Sequence, residues 1–155
     1  MVKGGNTMKL TELIDKDTFV FDESITTKNE LFNSLTEVLN EKGYLKNEKK
    51  FLKDLYKREE IVSTGIEDGF GIPHTKSKYI NKPIITFAKT SRLSDYIALD
   101  DTKIYIVFLI ALPRNTHESH LDLLSELAKL LMDSEFRQYI KNAEQADEIT
   151  KILSV

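Results

Sequence analysis

Apolar residues follow two patterns along this chain, one with helical spacing and one in short, nearly unbroken runs. Leu31, Leu35, Val38 and Leu39 repeat at helical spacing. Thr27 is placed to cap that helix and Glu30 to complete a capping box. The pattern predicts a helix from Thr27 to about Glu41, closed by Gly43. Asn47 caps a second helix through Phe51, Leu52, Leu55 and Tyr56, ending near Arg58. A shorter helix is expected over residues 8–14, with Leu10, Leu13 and Ile14 on one side. Strands are expected over 18–21, 61–64 and 84–88, where β-branched and aromatic residues gather. Residues 104–112 are almost entirely apolar, which predicts a central strand buried on both faces and stopped by Pro113. After it, Asn115 is placed to cap a helix with Glu118 at its third position, carrying Leu121, Leu124, Leu127, Ala128 and Leu131. Asp133 opens a short helix with Phe136 and Ile140, and a last helix covers 144–153.

Helices and strands therefore interleave. That argues an α/β fold: a single-domain α/β sandwich with a mixed β-sheet flanked by helices on both faces. The 155 residues suit one domain with a real core. There is no internal repeat or linker. Residues 1–7 read as a flexible tail ahead of a native start at Met8, with the domain over 8–155.

Composition narrows the functional classes. The net charge is −3 with both signs interspersed, so the clustered basic face of a nucleic-acid binder is missing. Cysteine is absent, which excludes disulfides, thiolate catalysis and Cys-type zinc sites and fits the cytoplasm. The longest apolar run falls far short of the roughly 20 residues that span a bilayer, and no charged-then-apolar leader opens the chain.

The candidate chemistry centres on Gly69-Phe70-Gly71-Ile72-Pro73-His74. The glycines allow close approach and Pro73 stiffens the chain, so His74 is expected on a bare, rigid turn. It is either a turn histidine exposed by chance or a nucleophile or general base, since neutral imidazole is available near pH 7. His117 and His120 open the helix after the central strand. His120 is either a solvent-facing helix-start residue or a second imidazole for an anion held at a helix N-terminus. His117 reads as a surface residue. A zinc site on the three histidines competes, but the metalloprotease spacing is missing and tight sites usually show more ligands. Arg58 is either a charge complementing a helix C-terminus or a guanidinium clamp on a phosphoryl group. Ser63 and Thr64 are either strand-surface residues or hydroxyl donors to phosphate oxygens. Phe70 belongs to the core, or, exposed beside His74, to an apolar docking patch.

These residues also resemble a known family. Arg58-Glu59-Glu60, Ser63-Thr64-Gly65-Ile66 and Gly69-Phe70-Gly71-Ile72-Pro73-His74 are similar to the signature of the fructose/mannitol-type EIIA domain (type 2) of the bacterial sugar phosphotransferase system (PTS). His120-Leu121-Asp122-Leu123-Leu124-Ser125-Glu126-Leu127-Ala128 resembles that family's His-Leu-x-x-Leu-x-x-Leu-Ala helix, at matching distance from His74. The resemblance runs from about Leu10 to the C-terminus. It implies a cytoplasmic phosphotransferase component with His74 as the phosphohistidine and His120 and Arg58 as its active-site partners, without cofactor or metal. The phosphocarrier protein HPr would donate the phosphoryl group. A sugar-specific EIIB domain, most simply a fructose type, would accept it, and membrane EIIC would import the sugar. The alternatives are a nitrogen-type regulatory IIA or another phosphorylation-dependent binding module. Two positions depart from the family pattern. Gly71 replaces a usual alanine, which is expected to loosen the turn, and Thr75 stands where a smaller residue is preferred.

Overall fold

The computed structural model describes residues 9–116 and 120–154, with the side chains of His120 and Leu121 outside the described set. The tail expected over 1–7 and the candidate His117 lie outside the described residues.

The elements follow in the order α1 (Leu10–Leu13), a 3-10 turn (Lys16–Thr18), β1 (Val20–Asp22), α2 (Lys28–Glu41), α3 (Glu48–Ile61), β2 (Gly65–Glu67), β3 (Phe70–Gly71) and β4 (His74–Ser77). They continue through β5 (Ile84–Thr90), β6 (Ile106–Pro113), α4 (His120–Leu131), α5 (Ser134–Asn142) and α6 (Ala146–Leu153). The strands form one mixed sheet in the order β1-β5-β6-β3-β2, with β4 also on β6. β5 runs antiparallel along one edge of β6, pairing Ile85 with Ile110 and Phe87 with Phe108. β3 and β4 share the other edge, both parallel to it: Phe70 pairs with Ile106, and His74 with Ile110, without a change of register.

The expected central strand is present and buried on both faces. Alternate residues of β6 supply two separate cores. Val107, Leu109 and Ala111 meet Leu31, Phe32, Leu35 and Leu39 of α2 and Phe51 and Leu55 of α3. Ile106, Phe108, Ile110 and Leu112 meet Leu123 and Leu127 of α4, Ile140 of α5 and Ile149 of α6. Helices thus cover both faces.

Local chemistry explains most boundaries. The Thr27 side chain accepts from the Glu30 amide while the Glu30 carboxylate accepts from the Thr27 amide, the expected capping box. Gly43, at φ +82°, ends that helix in the left-handed region. Asn47 caps α3 and Asp133 caps α5 as expected.

Four expectations need correction. The strand expected over 18–21 begins only at Val20. Asp15 accepts from the Asp17 amide and Thr18 donates to the Asp15 carbonyl, which winds 16–18 into a turn. α3 continues past Arg58 to Ile61, and the strand expected over 61–64 is absent: those residues end the helix and lead into β2. Ile104 lies outside β6 because its amide and carbonyl pair with Tyr96 and Leu93 instead. Thr116, next to Asn115, is non-helical and α4 is described from His120, while the Glu118 expected to support that cap lies outside the described residues.

Candidate functional site

His74 does not lie on a bare turn. It is the first residue of β4, hydrogen-bonded into the sheet opposite Ile110, and only 6% exposed. The interruption before it comes from two residues. The Ile72 amide donates to the Thr64 carbonyl, and Pro73 has no N–H to donate. The Pro73 carbonyl still accepts from the Ile110 amide. His74 Nδ1 lies 2.8 Å from the Ile72 carbonyl oxygen. A carbonyl only accepts, so Nδ1 carries the hydrogen and the neutral ring carries its lone pair on Nε2.

Arg58 lies in the last turn of α3, where its Nη1 donates to the Val62 carbonyl at 3.2 Å. That bond closes the helix end. The same side chain lines two cavities together with His74. One, of about 290 Å³, adds Asp54, Lys57, Ile61, Thr75, Lys76 and Arg114. The other, of about 220 Å³, adds Ser63, Thr64, Gly65, Ile66, Ile72, Leu124 and Ala128. In the first, four basic side chains face one carboxylate, and Asp54 already accepts from Ser77 at 2.7 Å. The imidazole therefore sits between an electropositive cavity and one floored by α4, a suitable setting for a small anion.

Ser63 is exposed at the rim of the second cavity, where its oxygen accepts from the Gly65 amide. Thr64 faces inward and corrects the phosphate-donor reading. Its hydroxyl donates to the Glu59 carboxylate at 2.8 Å, and its amide donates to the same carboxylate at 3.2 Å. With its one hydrogen committed there, Thr64 Oγ1 accepts from the Tyr96 hydroxyl. Lys28 completes the group, its Nζ 3.3 Å from Glu59. Burial, reinforced by the Glu59 charge, holds the Tyr96 hydroxyl far above its ordinary pKa, so it stays a donor.

Phe70 is fully buried between the sheet and α4–α6, so it belongs to the core and no docking patch includes it. The apolar rim is made by other residues. Ile61 is 78% exposed and Val62 56% exposed, at the end of α3 beside Arg58. Gly71 is not a loosened turn either. It lies within β3, and a Cβ there would fall 3.0 Å from the Tyr96 hydroxyl oxygen. The His120 backbone opens α4, whose Leu124 and Ala128 floor the second cavity. Among the described residues, no group of three metal-ligand side chains comes together. The three-histidine arrangement requires His117, outside that set.

The sequence pattern gave no role to Glu59, quoted only within the family signature, and did not single out Tyr96, Lys57, Lys76 or Arg114. Glu59 had one available signal, its place directly after Arg58 and five residues before the Thr64 it holds. Tyr96 gave none, because its contact with Thr64 spans 32 residues. A larger cleft, about 470 Å³, is lined by Phe21, Asp22, Lys89 and Glu144 among others and holds none of the candidate residues. Its Lys89 donates to the Lys141 and Ala143 carbonyls.

Residues 12–155 match the family model described as phosphoenolpyruvate-dependent sugar phosphotransferase system, EIIA 2. The chain is 33% identical over 147 residues to the PTS system fructose-specific EIIABC component of Bacillus subtilis, an alignment covering 95% of this chain and 23% of that protein. The chain thus spans about a quarter of that relative. The crystal structure of nitrogen regulatory protein IIA-Ntr from Neisseria meningitidis superposes with a TM-score of 0.83 at 25% identity, covering 92% of this chain and 97% of that one. The mannitol IIA of Escherichia coli, solved in complex with phosphorylated enzyme IIB, shares the fold with a TM-score of 0.73 at 19% identity, covering 92% of this chain and 99% of that one.

Proposed function

The chain belongs to the EIIA type 2 family of the phosphoenolpyruvate-dependent sugar phosphotransferase system, and from that premise we propose that His74 carries the phosphoryl group. The proposed donor is phosphorylated HPr and the proposed acceptor a sugar-specific EIIB domain, at a cytoplasmic site. The observation that carries this reading is the Nδ1–H bond to the Ile72 carbonyl, which leaves the imidazole lone pair on Nε2 of a residue that lines the same cavities as Arg58.

In the forward step Nε2 attacks the phosphorus of the donor's phosphohistidine in line. The new P–N bond forms as the donor's P–N bond breaks, and the donor imidazole keeps that electron pair. The second transfer repeats this exchange with the EIIB side chain as nucleophile and His74 as leaving group. Such transfers depend on positioning and charge neutralisation. Arg58 would hold equatorial oxygens through its planar fork, with Lys57, Lys76 and Arg114 supplying the surrounding positive field. His120, at the start of α4, is proposed as the second partner on the strength of the family resemblance, and Ser63 as an additional hydroxyl donor. The exposed Ile61 and Val62 suit brief docking of two successive partners at one face. A fructose-type EIIB is the proposed acceptor, in line with the identity to the Bacillus subtilis protein.

The test is intact-mass spectrometry after incubation with phosphoenolpyruvate, enzyme I and HPr. Wild type gains one acid-labile phosphoryl group and His74→Ala gains none. Equal gain in both, or none in either, overturns the assignment. A regulatory role is the second reading, favoured by the TM-score to IIA-Ntr. Under it, the phosphorylated chain fails to discharge onto a fructose-type EIIB.

A further inference from the structure

We propose that Glu59 and Tyr96 are positioning residues for His74, and that Gly71 is glycine because the Tyr96 hydroxyl needs the space beside it. The inference rests on His74 being the phosphoryl acceptor, and extends to the buried groups that hold its ring.

Glu59 is 8% exposed and lines neither of the two cavities that His74 lines. Its two oxygens clamp Thr64 at the amide and the hydroxyl, and Lys28 balances its charge. Thr64 is thereby fixed, and its carbonyl accepts from the Ile72 amide at 3.0 Å. The Ile72 carbonyl in turn accepts from His74 Nδ1 at 2.8 Å. Three successive hydrogen-bonded links therefore connect a buried carboxylate to the ring hydrogen that leaves the lone pair on Nε2. If Thr64 shifts, the Ile72 carbonyl shifts with it, and the preference between the two imidazole tautomers weakens.

Tyr96 acts on the same link from the other side. Its ring is fully buried and its hydroxyl donates to Thr64 Oγ1. The Thr64 hydroxyl hydrogen is then left pointing at Glu59. A Cβ on residue 71 would lie 3.0 Å from that hydroxyl oxygen and 3.4 Å from Cζ, tighter than ordinary contact. Phe32 meets the Tyr96 ring edge-on and Lys28 lies over its face, 4.6 Å from the centroid. The ring has little freedom to yield. An alanine at 71 therefore displaces the hydroxyl from Thr64, unless the hydroxyl is removed at the same time.

The experiment follows Glu59→Gln, Tyr96→Phe, Gly71→Ala and the Gly71→Ala/Tyr96→Phe double variant. Two readouts are used: the ¹⁵N shifts of the His74 ring nitrogens, which report the tautomer, and the rate of phosphoryl uptake from phosphorylated HPr. Glu59→Gln should lower the maximal rate about tenfold, with the donor concentration for half-maximal rate within about twofold of wild type, since Glu59 touches no partner. The ring shifts should move toward a tautomer mixture. Because Glu59→Gln strips a buried ion pair of its anion, Tyr96→Phe supplies the second variant, with a smaller change of the same kind. Gly71→Ala should match Tyr96→Phe alone and add nothing in the double variant. A purely structural role would lower stability without moving the ring shifts. Unchanged ring shifts in folded Glu59→Gln and Tyr96→Phe overturn the inference, as do additive effects in the double variant. If wild type takes no phosphoryl group, the functional reading fails instead, and the ring shifts still decide the positioning claim.

Discussion

Replacing Gly69 with alanine tests how the backbone ahead of the site is built. Gly69 has φ +80°, and a Cβ placed there would lie 2.6 Å from Tyr105 Cε1 and 2.7 Å from Cδ1. Arg92 stacks on the same ring at 4.4 Å from its centroid, so the ring cannot simply swing away. The Gly69 carbonyl accepts from the Tyr105 and Ile106 amides, and its own amide donates to Thr102, so the backbone is held as well. Two costs add. Left-handed backbone with a Cβ costs roughly 1–2 kcal/mol, and the overpacked contact roughly 1–3 kcal/mol. The expected loss is about 3 kcal/mol, a drop in Tm of roughly 6–12 °C for a domain of this size. Urea unfolding followed by far-UV circular dichroism measures it. Repeating the substitution in a Tyr105→Ala background removes the ring and leaves only the backbone cost, about 1–2 kcal/mol. A loss below about 0.5 kcal/mol in the wild-type background, within the range of an ordinary surface change, refutes the reasoning. An equal loss in both backgrounds refutes the ring contact specifically.

Phe70→Ala removes a fully buried ring and should destabilise the fold by about 3–5 kcal/mol; a loss below about 1 kcal/mol by urea unfolding would restore the docking reading. Arg58→Gln should slow phosphoryl uptake by about a hundredfold in the phosphorylated-HPr assay, and an unchanged rate would leave Arg58 with only its helix-closing bond to Val62. Burial, with the hydrogen bond to Asp15, pushes the Tyr44 hydroxyl up to about 12. Its folded pKa exceeds its unfolded one, so its contribution to stability is full below about pH 10 and is lost as pH rises toward 12. Melting temperatures of wild type and Tyr44→Phe should therefore converge over that window; a constant difference would contradict it.

What the sequence made legible was local. Thr27 and Glu30 stand three residues apart and satisfy each other, so the start of α2 needed no knowledge of the rest of the chain. The β6 run could only be a strand covered on both faces, because no polar residue interrupts its core. The family motif located His74, Arg58 and Thr64 in sequence but not in space. Glycines and a proline around His74 suggest a turn, whereas the segment lies in the sheet because Phe70, Gly71 and His74 pair with Ile106, Val107 and Ile110 of β6, distant in sequence. By residue type Thr64 is open to a strand-surface or a phosphate-donor reading, and a buried carboxylate one helical turn and a bend away claims its hydroxyl. Phe70 was ambiguous until α4–α6 closed over it. For Phe70 and the His74 segment the missing information was a long-range contact, and for Thr64 it was the bend that turns its hydroxyl back onto Glu59.

Phe70 to Ser77 is a single strand with a hitch at Ile72-Pro73, and its register on β6 does not change across that hitch. On the proposed reading, the phosphorylated atom is rooted in the central sheet of the molecule. The strand that carries His74 is already ordered by its pairing with β6, so on that reading the acceptor itself loses little ordering entropy on loading. A rigid acceptor of this kind sets no preferred direction. On that reading, traffic through His74 would follow the supply of charged donor against uncharged acceptor.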